Sequence, residues 1–131
     1  MDPYILIIEN NLINRELAGS ILEKAGIDVR YASDVLSGLI MLTKIRPSLI
    51  LIGLTLPGMD GVILSQILRN DPDTSDLTIV ALVDFSSSDD FDRSLTKFDG
   101  HIAVPFDEET LITKVNYFLE KNIAIQNKIT L

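Results

Sequence analysis

The sequence predicts an α/β fold with a doubly wound sheet of five parallel strands, and three observations support this. Short runs rich in Ile, Leu and Val alternate along the chain with segments of helical periodicity. Several of these runs are continuously apolar, which is typical of strands that helices cover on both faces. The length of 131 residues, of which 47% are hydrophobic, suits one domain with a single core.

The first βα unit has the clearest pattern. Residues 4–8 form an apolar strand, and residues 12–25 have the spacing of an amphipathic helix. Asn11 is placed to cap the start of that helix, and Gly26 is placed to cap its end. The buried face of the helix is expected to contain Ile13, Leu17, Ala18, Ile21, Leu22 and Ala25.

The next two strands differ in their patterns. Polar and apolar residues alternate over residues 27–31, which predicts an edge strand with one exposed face. Ser33 is expected to cap a helix that runs to about Arg46, where Pro47 ends it. Residues 48–54 are almost entirely apolar and are therefore predicted to form a central strand.

The third unit continues the alternation. Residues 56–61 read as a turn, and Asp60 is expected to act as the N-cap of a helix to about Asn70 rather than as a metal ligand. Residues 77–83 are a fourth strand, again apolar and central. A short helix over about residues 89–97 is the interpretation of the polar segment that follows.

The chain closes with a fifth strand and a final helix. The strand covers residues 101–104, and Asp107 caps the helix, whose first turn is acidic and so favours the positive end of the helix dipole. Residues 123–131 either extend this helix or begin a linker. The buried face of the helix is expected to contain Leu111, Ile112, Val115, Phe118 and Leu119.

Charge and composition narrow the functional classes. The net charge is −8, which repels phosphate backbones and anionic lipids, so neither nucleic acid nor membrane is an expected partner. No basic segment precedes the first apolar run, which indicates a cytoplasmic protein. Cysteine is absent and there is one histidine, so thiol chemistry, a His-based triad and a multi-histidine metal site are excluded. No glycine-rich phosphate loop occurs, and no cofactor or metal is expected.

Three motifs make the prediction more specific. Residues 47–61, PSLILIGLTLPGMDG, resemble the signature PDLILLDLxLPGMDG of response-regulator receiver domains. The segments IIENNLIN at 7–14 and GHIAVPF at 100–106 are similar to the start and end of that family's pattern. The resemblance covers residues 4–121 and implies a (βα)5 flavodoxin-like receiver fold, with a receiver domain at 1–122 and a tail at 123–131. It also implies a cis bond before Pro105.

In that family, an aspartate that ends the third strand accepts a phosphoryl group from a histidine kinase. Two acids after the first strand hold Mg²⁺, and a Ser or Thr and a Lys bind the phosphorylated state. At the matching positions this chain has Glu9, Asn10, Gly53, Val83 and Val104. Only Glu9 retains the family's chemistry, and it is expected to be a surface acid. The resemblance therefore implies a degenerate form, a pseudo-receiver.

The expected function is a phosphorylation-independent protein-interaction module without enzymatic activity. Its partner would be a signalling protein or a histidine kinase, bound at the face of the fourth and fifth predicted helices and the fifth strand. The residues that would flank this face, although core packing explains most of them equally well, are His101, Phe91, Phe98 and Phe106.

Two alternatives remain open. The emptied pocket could bind a small ligand, or His101 could sense pH; the ligand hypothesis requires a cavity above Gly53 and Val83 that Val104 lines. Alternatively, Asp84 or Ser86 could accept the phosphoryl group in place of the missing aspartate.

Overall fold

The computed structural model describes residues 4–56, 60–84 and 97–130, with side chains described as far as residue 121. The helix predicted over residues 89–97 lies outside the described residues except for Lys97. Phe91, Ser86 and the middle of the turn at 56–61 also lie outside them.

The sheet has five parallel strands, as predicted. Their order, β2-β1-β3-β4-β5, makes β2 an edge strand and places β3 and β4 inside the sheet. All carboxyl ends of the strands therefore meet at one edge of the sheet, and all amino ends at the other. The strands are β1 Tyr4–Ile8, β2 Asp28–Ala32, β3 Leu49–Gly53, β4 Ile79–Val83 and β5 Gly100–Ala103.

Four described helices cover the two faces of this sheet: α1 Leu12–Lys24, α2 Val35–Leu42, α3 Gly61–Asn70 and α4 Glu108–Thr130. Alternate residues of the buried strand β1 face opposite sides. Leu6 and Ile8 join a core cluster with α2 and α3, whereas Ile5 and Ile7 join a second cluster with α1 and α4. No helix in the described part of the chain is both long and apolar enough to span a bilayer.

The helix starts confirm three predicted caps. The Asn11 side chain accepts a hydrogen bond from the backbone N–H of Asn14, and the Asp60 carboxylate accepts one from Ile63. Asp107 accepts one from the N–H of Thr110 in the same way. At the end of α1, Gly26 follows the cap residue with a φ of 84°, a conformation that favours glycine. The Val104–Pro105 bond is cis, as predicted.

The predicted bounds of α2 are wrong at both ends. Its N-cap is Asp34 and not Ser33, because the Asp34 carboxylate accepts the N–H of Ser37 at 2.7 Å. The helix ends at Leu42, four residues before the predicted end. There the Thr43 hydroxyl donates to the Ile40 carbonyl at 2.6 Å, and the backbone continues in turns.

The buried face predicted for α1 is partly wrong. Ile13 is 74% exposed and Leu17 is 44% exposed, and Ala25 is exposed as well. The buried residues of α1 begin only at Ala18. The second half of the helix thus packs on the sheet, while its first half presents aliphatic side chains to solvent.

A polar network holds the amino edge of the sheet. The Arg69 guanidinium at the end of α3 bonds to segments that precede β4 and β5, and the Asp99 carboxylate also accepts the N–H of Ile79 at 2.7 Å. The Arg69–Asp99 pair is an ion pair of 2.9 Å in which the arginine is largely buried. The acceptors of Arg69 are the carbonyl oxygens of Ser75, Leu77 and Lys97 and the carboxylate of Asp99.

Candidate functional site

The carboxyl edge of the sheet brings together most of the positions that the motifs single out. The register pairs Ile8 of β1 with Ile52 of β3, so the next residues, Glu9 and Gly53, lie side by side. Val83 ends the adjacent strand β4, and Val104 follows β5. Asn10 is exposed to solvent.

Glu9 is buried, which corrects the expectation that it is a surface acid. The residue is only 7% exposed to solvent. A Cβ atom built on Gly53 would lie 2.3 Å from Glu9 Oε2 and 3.0 Å from Oε1. The carboxylate therefore occupies the space in which a side chain at position 53 would begin.

Hydrogen bonds hold Glu9 in this position. Its Oε1 accepts the backbone N–H of Asn11 at 2.9 Å, and its own N–H donates to the carbonyl of Ala32 at 3.0 Å. Arg15 Nη1 donates to the Glu9 carbonyl at 2.8 Å. Burial raises the pKa of the Glu9 carboxyl, although the Asn11 N–H and the Arg15 charge partly oppose that shift.

Arg15 is a site residue that the sequence prediction missed. Its position one turn into α1, shortly after the acid that follows β1, is the signal that could have indicated it. From there the guanidinium reaches back over the β1–α1 turn to the backbone carbonyl of Glu9.

Gly53 is enclosed on a second side by the start of α3. The Gly61 N–H donates to the Leu54 carbonyl at 2.7 Å. A Cβ atom on Gly61 would lie only 2.4 Å from the backbone oxygen of Gly53. The first turn of α3 therefore rests directly on the end of β3, and the absence of a side chain at Gly61 allows this close approach.

Aliphatic groups occupy the ends of β4 and β5. Val83 is fully buried, and the N–H of Val104 donates to its carbonyl at 2.8 Å. Val104 is half-buried and packs against the core cluster of α1 and α4. Asp84, the next residue after β4, is exposed.

The described residues at the ends of β1 and β3 do not fit a magnesium ion. Mg²⁺ requires near-octahedral oxygen coordination that usually includes carboxylates. At the ends of β1 and β3, Glu9 provides the only carboxylate, and one of its oxygens already accepts the Asn11 N–H.

The residues predicted to flank an interaction surface differ in their burial. His101 is half-buried on β5, and burial and the nearby Lys114 charge lower its pKa. Lys114 Nζ donates to the His101 carbonyl at 3.1 Å. Phe98 is only 9% exposed and belongs to the core beside α3, as the core-packing alternative expects. Phe106 is partly buried against the opposite cluster.

A family comparison identifies the domain. Residues 5–116 match the family model of the response regulator receiver domain. The chain belongs to this family. Receiver domains are in general non-enzymatic modules of two-component signalling, and they interact with other signalling proteins such as kinases.

Similar proteins support the receiver assignment. The DNA-binding dual master transcriptional regulator RpaA of Synechocystis is 32% identical over 127 residues, which cover 94% of this chain and 52% of that protein. The DNA-binding response regulator MtrA of Mycobacterium tuberculosis is 29% identical over 123 residues, or 93% of this chain and 53% of MtrA. This receiver domain thus spans about half the length of these relatives.

Solved structures agree on the fold. The receiver domain of a signal transduction histidine kinase from Syntrophus aciditrophicus superposes with a TM-score of 0.83 at 28% identity, and the match covers 91% of each chain. The flavodoxin-like receiver fold predicted from the sequence is therefore confirmed.

Proposed function

We propose that this receiver domain is a pseudo-receiver, which acts in two-component signalling as a protein-interaction module that phosphorylation does not control. One observation carries the proposal: the Glu9 carboxylate occupies the space beside Gly53, where the side chain of an acceptor would begin. Phosphoryl transfer to a protein needs a nucleophilic side chain at the position of attack. Glycine has none.

The surrounding groups also favour this proposal. Transfer of a phosphoryl group depends on nearby cations and hydrogen-bond donors that stabilise its negative charge. Val83 and Val104 offer no side-chain donor or charge at the ends of β4 and β5. A lysine at position 104 would also lack the aspartate partner that the family has at position 53.

The ligand alternative is not favoured by this geometry. It required a cavity beside Gly53, and the Glu9 carboxylate fills the space next to that glycine. Phosphorylation of another residue is left to experiment, since Asp84 is exposed directly after β4.

The face formed by β5 and α4, the fifth predicted helix, remains the proposed docking surface for a signalling protein. The proposed location of the protein is the cytoplasm. Lys114 contacts the His101 carbonyl, and Tyr117 follows one helical turn later, so these residues share one side of the domain. Tyr117 is exposed, and exposed tyrosines are common anchors at protein interfaces. The net charge of −8 argues that any contact with DNA involves a part of the protein other than this domain.

The decisive experiment is a titration with Mg²⁺ and beryllofluoride, a mimic of the phosphorylated aspartate, followed by amide NMR. We expect the resonances of Glu9, Gly53, Val83 and Val104 to remain unchanged. The matched control is a rebuilt variant in which positions 10, 53, 83 and 104 carry the family's groups. Large shifts centred on Gly53 in the unaltered protein would contradict the proposal. The control carries Asn10→Asp, Gly53→Asp, Val83→Thr and Val104→Lys.

A second measurement tests whether another residue, such as Asp84, accepts a phosphoryl group. The unaltered protein is incubated with a small-molecule phosphodonor and Mg²⁺, and its intact mass is then measured. We expect no added phosphate. A phosphorylated product that disappears in an Asp84→Asn variant would instead assign the acceptor to Asp84.

A further inference from the structure

The side of α4 that lies beside β5 carries two lysines and a tyrosine. Lys114, Tyr117 and Lys121 are spaced three and four residues apart, so they form one stripe along the helix. Lys114 Nζ donates a hydrogen bond to the carbonyl of His101 at 3.1 Å, which fixes the stripe next to β5. Tyr117 and Lys121 are exposed, and Lys114 is half-buried. These three residues are called the Lys–Tyr stripe below.

The tyrosine of this stripe is held in place by the next residue of the helix. The rings of Tyr117 and Phe118 meet edge to face, with 5.0 Å between their centroids and an angle of 77° between their planes. Phe118 is buried against the start of β5, where a Cβ atom on Gly100 would collide with its ring. A side chain that is already ordered loses less conformational entropy when a partner binds it.

The charge of the stripe is opposite to that of the molecule. Neither lysine forms an ion pair within the part of the chain that the structure describes. The three acids of α4, Glu108, Glu109 and Glu120, are each about 90° or more around the helix from the middle of the stripe. The net charge is −8, but at physiological salt a charge acts mainly within about 8 Å. The stripe is therefore a local basic surface on an acidic domain.

We infer that the Lys–Tyr stripe binds an acidic segment of a protein partner, in which two carboxylates pair with the lysines and an apolar side chain between them packs on Tyr117. Lys114 and Lys121 are two helical turns apart, or about 10 Å along the axis. Residues three apart in an extended segment span about the same distance. This inference rests on the docking surface proposed above and adds the chemistry of the partner.

Other anions fit the stripe less well. Nucleic acids and anionic membranes carry charge over an area larger than the stripe, so they would also face the acidic remainder of the domain. A short acidic segment of a protein meets only the two lysines. Tyr117 also offers an exposed ring, which a phosphate group would leave uncovered and an apolar side chain would cover.

Titration of the whole chain with a synthetic peptide, followed by amide NMR, tests the inference. The probe is a short peptide in which glutamates flank one leucine, and its counterpart has glutamine in place of each glutamate. We expect the glutamate peptide to shift the resonances of Lys114, Tyr117 and Lys121. It should bind at least about fivefold more tightly than the glutamine peptide. Equal binding of both peptides at the stripe would overturn the inference while keeping β5 and α4 as a docking surface.

Two charge reversals with the same effect on net charge locate the contact. Lys121→Glu places an acid in the stripe and should weaken binding of the glutamate peptide by at least about fivefold. Lys44→Glu is the matched control and should leave binding unchanged. Lys44 is exposed beyond the end of α2, and α2 packs on the side of the sheet opposite to α4. Equal losses in both variants, or a glutamate peptide that does not bind, would overturn the inference.

Tyr117→Ala separates the two kinds of contact. It should weaken peptide binding at low and high salt alike, whereas the loss in Lys121→Glu should shrink as salt screens the charge. An unchanged affinity of Tyr117→Ala, or a short DNA duplex that binds the stripe more tightly than the glutamate peptide, would contradict a partner of this chemistry. None of these outcomes depends on the titration with Mg²⁺ and beryllofluoride, so the inference and the pseudo-receiver proposal can fail separately.

Discussion

The two edges of the sheet are held together by opposite means. At the amino edge, Arg69 and Asp99 join α3 to the segments before β4 and β5 through directed polar bonds. At the carboxyl edge, Gly53 and Gly61 allow the backbone and the Glu9 carboxylate to approach closely. The carboxyl edge is where the family's chemistry is expected.

The difference determines which substitutions each edge tolerates. A polar network tolerates little change, since each buried donor or acceptor left without a partner costs free energy. The carboxyl edge is instead a contact of glycine, valine and one carboxylate. Its stability depends on steric fit, so substitutions at the two edges should destabilise the protein for different reasons.

The largest effect is expected at the amino edge. Arg69→Ala removes one ion pair and several hydrogen bonds to carbonyl oxygens, and should lower the free energy of unfolding by about 3 kcal/mol in urea titrations. Arg46→Ala is the control, because the Arg46–Asp76 pair is mostly exposed and should contribute less than about 1 kcal/mol. Equal losses for both variants would refute a special role of the Arg69 network.

At the carboxyl edge, Gly61→Ala should have the next largest effect. The added Cβ would meet the backbone oxygen of Gly53, which no side-chain rotation can move. We expect a loss of about 2 kcal/mol, as for overpacked positions in general. Thermal and urea unfolding both measure this loss. An unchanged stability would mean that α3 can withdraw from β3.

Gly53→Ala also adds one Cβ atom, but this atom would meet a side chain that can move. The Glu9 carboxylate is the end of a flexible side chain, so we expect a smaller loss of about 1 kcal/mol. In a Glu9→Ala background the obstacle is gone, and Gly53→Ala should then cost less. A double-mutant cycle measures this coupling, and strictly additive effects would show that the two residues do not share the space.

The smallest effect is the pH dependence that Glu9 contributes. Because its pKa is raised in the folded protein above the ordinary value of 4.5, the folded state binds the proton more tightly than the unfolded chain. Glu9 therefore reduces stability as pH rises from that value through the raised pKa. Glu9→Gln should remove this loss and raise stability at pH 7 by less than about 1 kcal/mol. Urea unfolding at a series of pH values measures the difference, which should disappear at acidic pH.

The sequence was sufficient to predict most of the fold. Apolar runs marked the strands, and Asn11 and Asp60 marked helix starts, because both signals act locally. The exposure of Ile13 depends instead on how far α1 extends past the surface on which it packs. The periodicity of the sequence alone does not indicate how far the helix extends.

Most residues of the candidate site were named from the sequence, with the exception of Arg15, but their geometry was not. The motif gave Gly53 as a position without a side chain, yet the sequence did not show that Glu9 fills the space. The register that sets these residues side by side is a property of two strands far apart in the chain. Burial of Glu9 follows from that register and not from its own neighbours in sequence.

The position of Glu9 also bears on what would follow if an acceptor were restored. A Gly53→Asp substitution would by itself return the family's acceptor residue to this position. The returning side chain would meet the Glu9 carboxylate, another negative charge, in a buried place with valine at the ends of β4 and β5. That substitution alone should therefore destabilise the carboxyl edge, unless Glu9 or the two valines change with it.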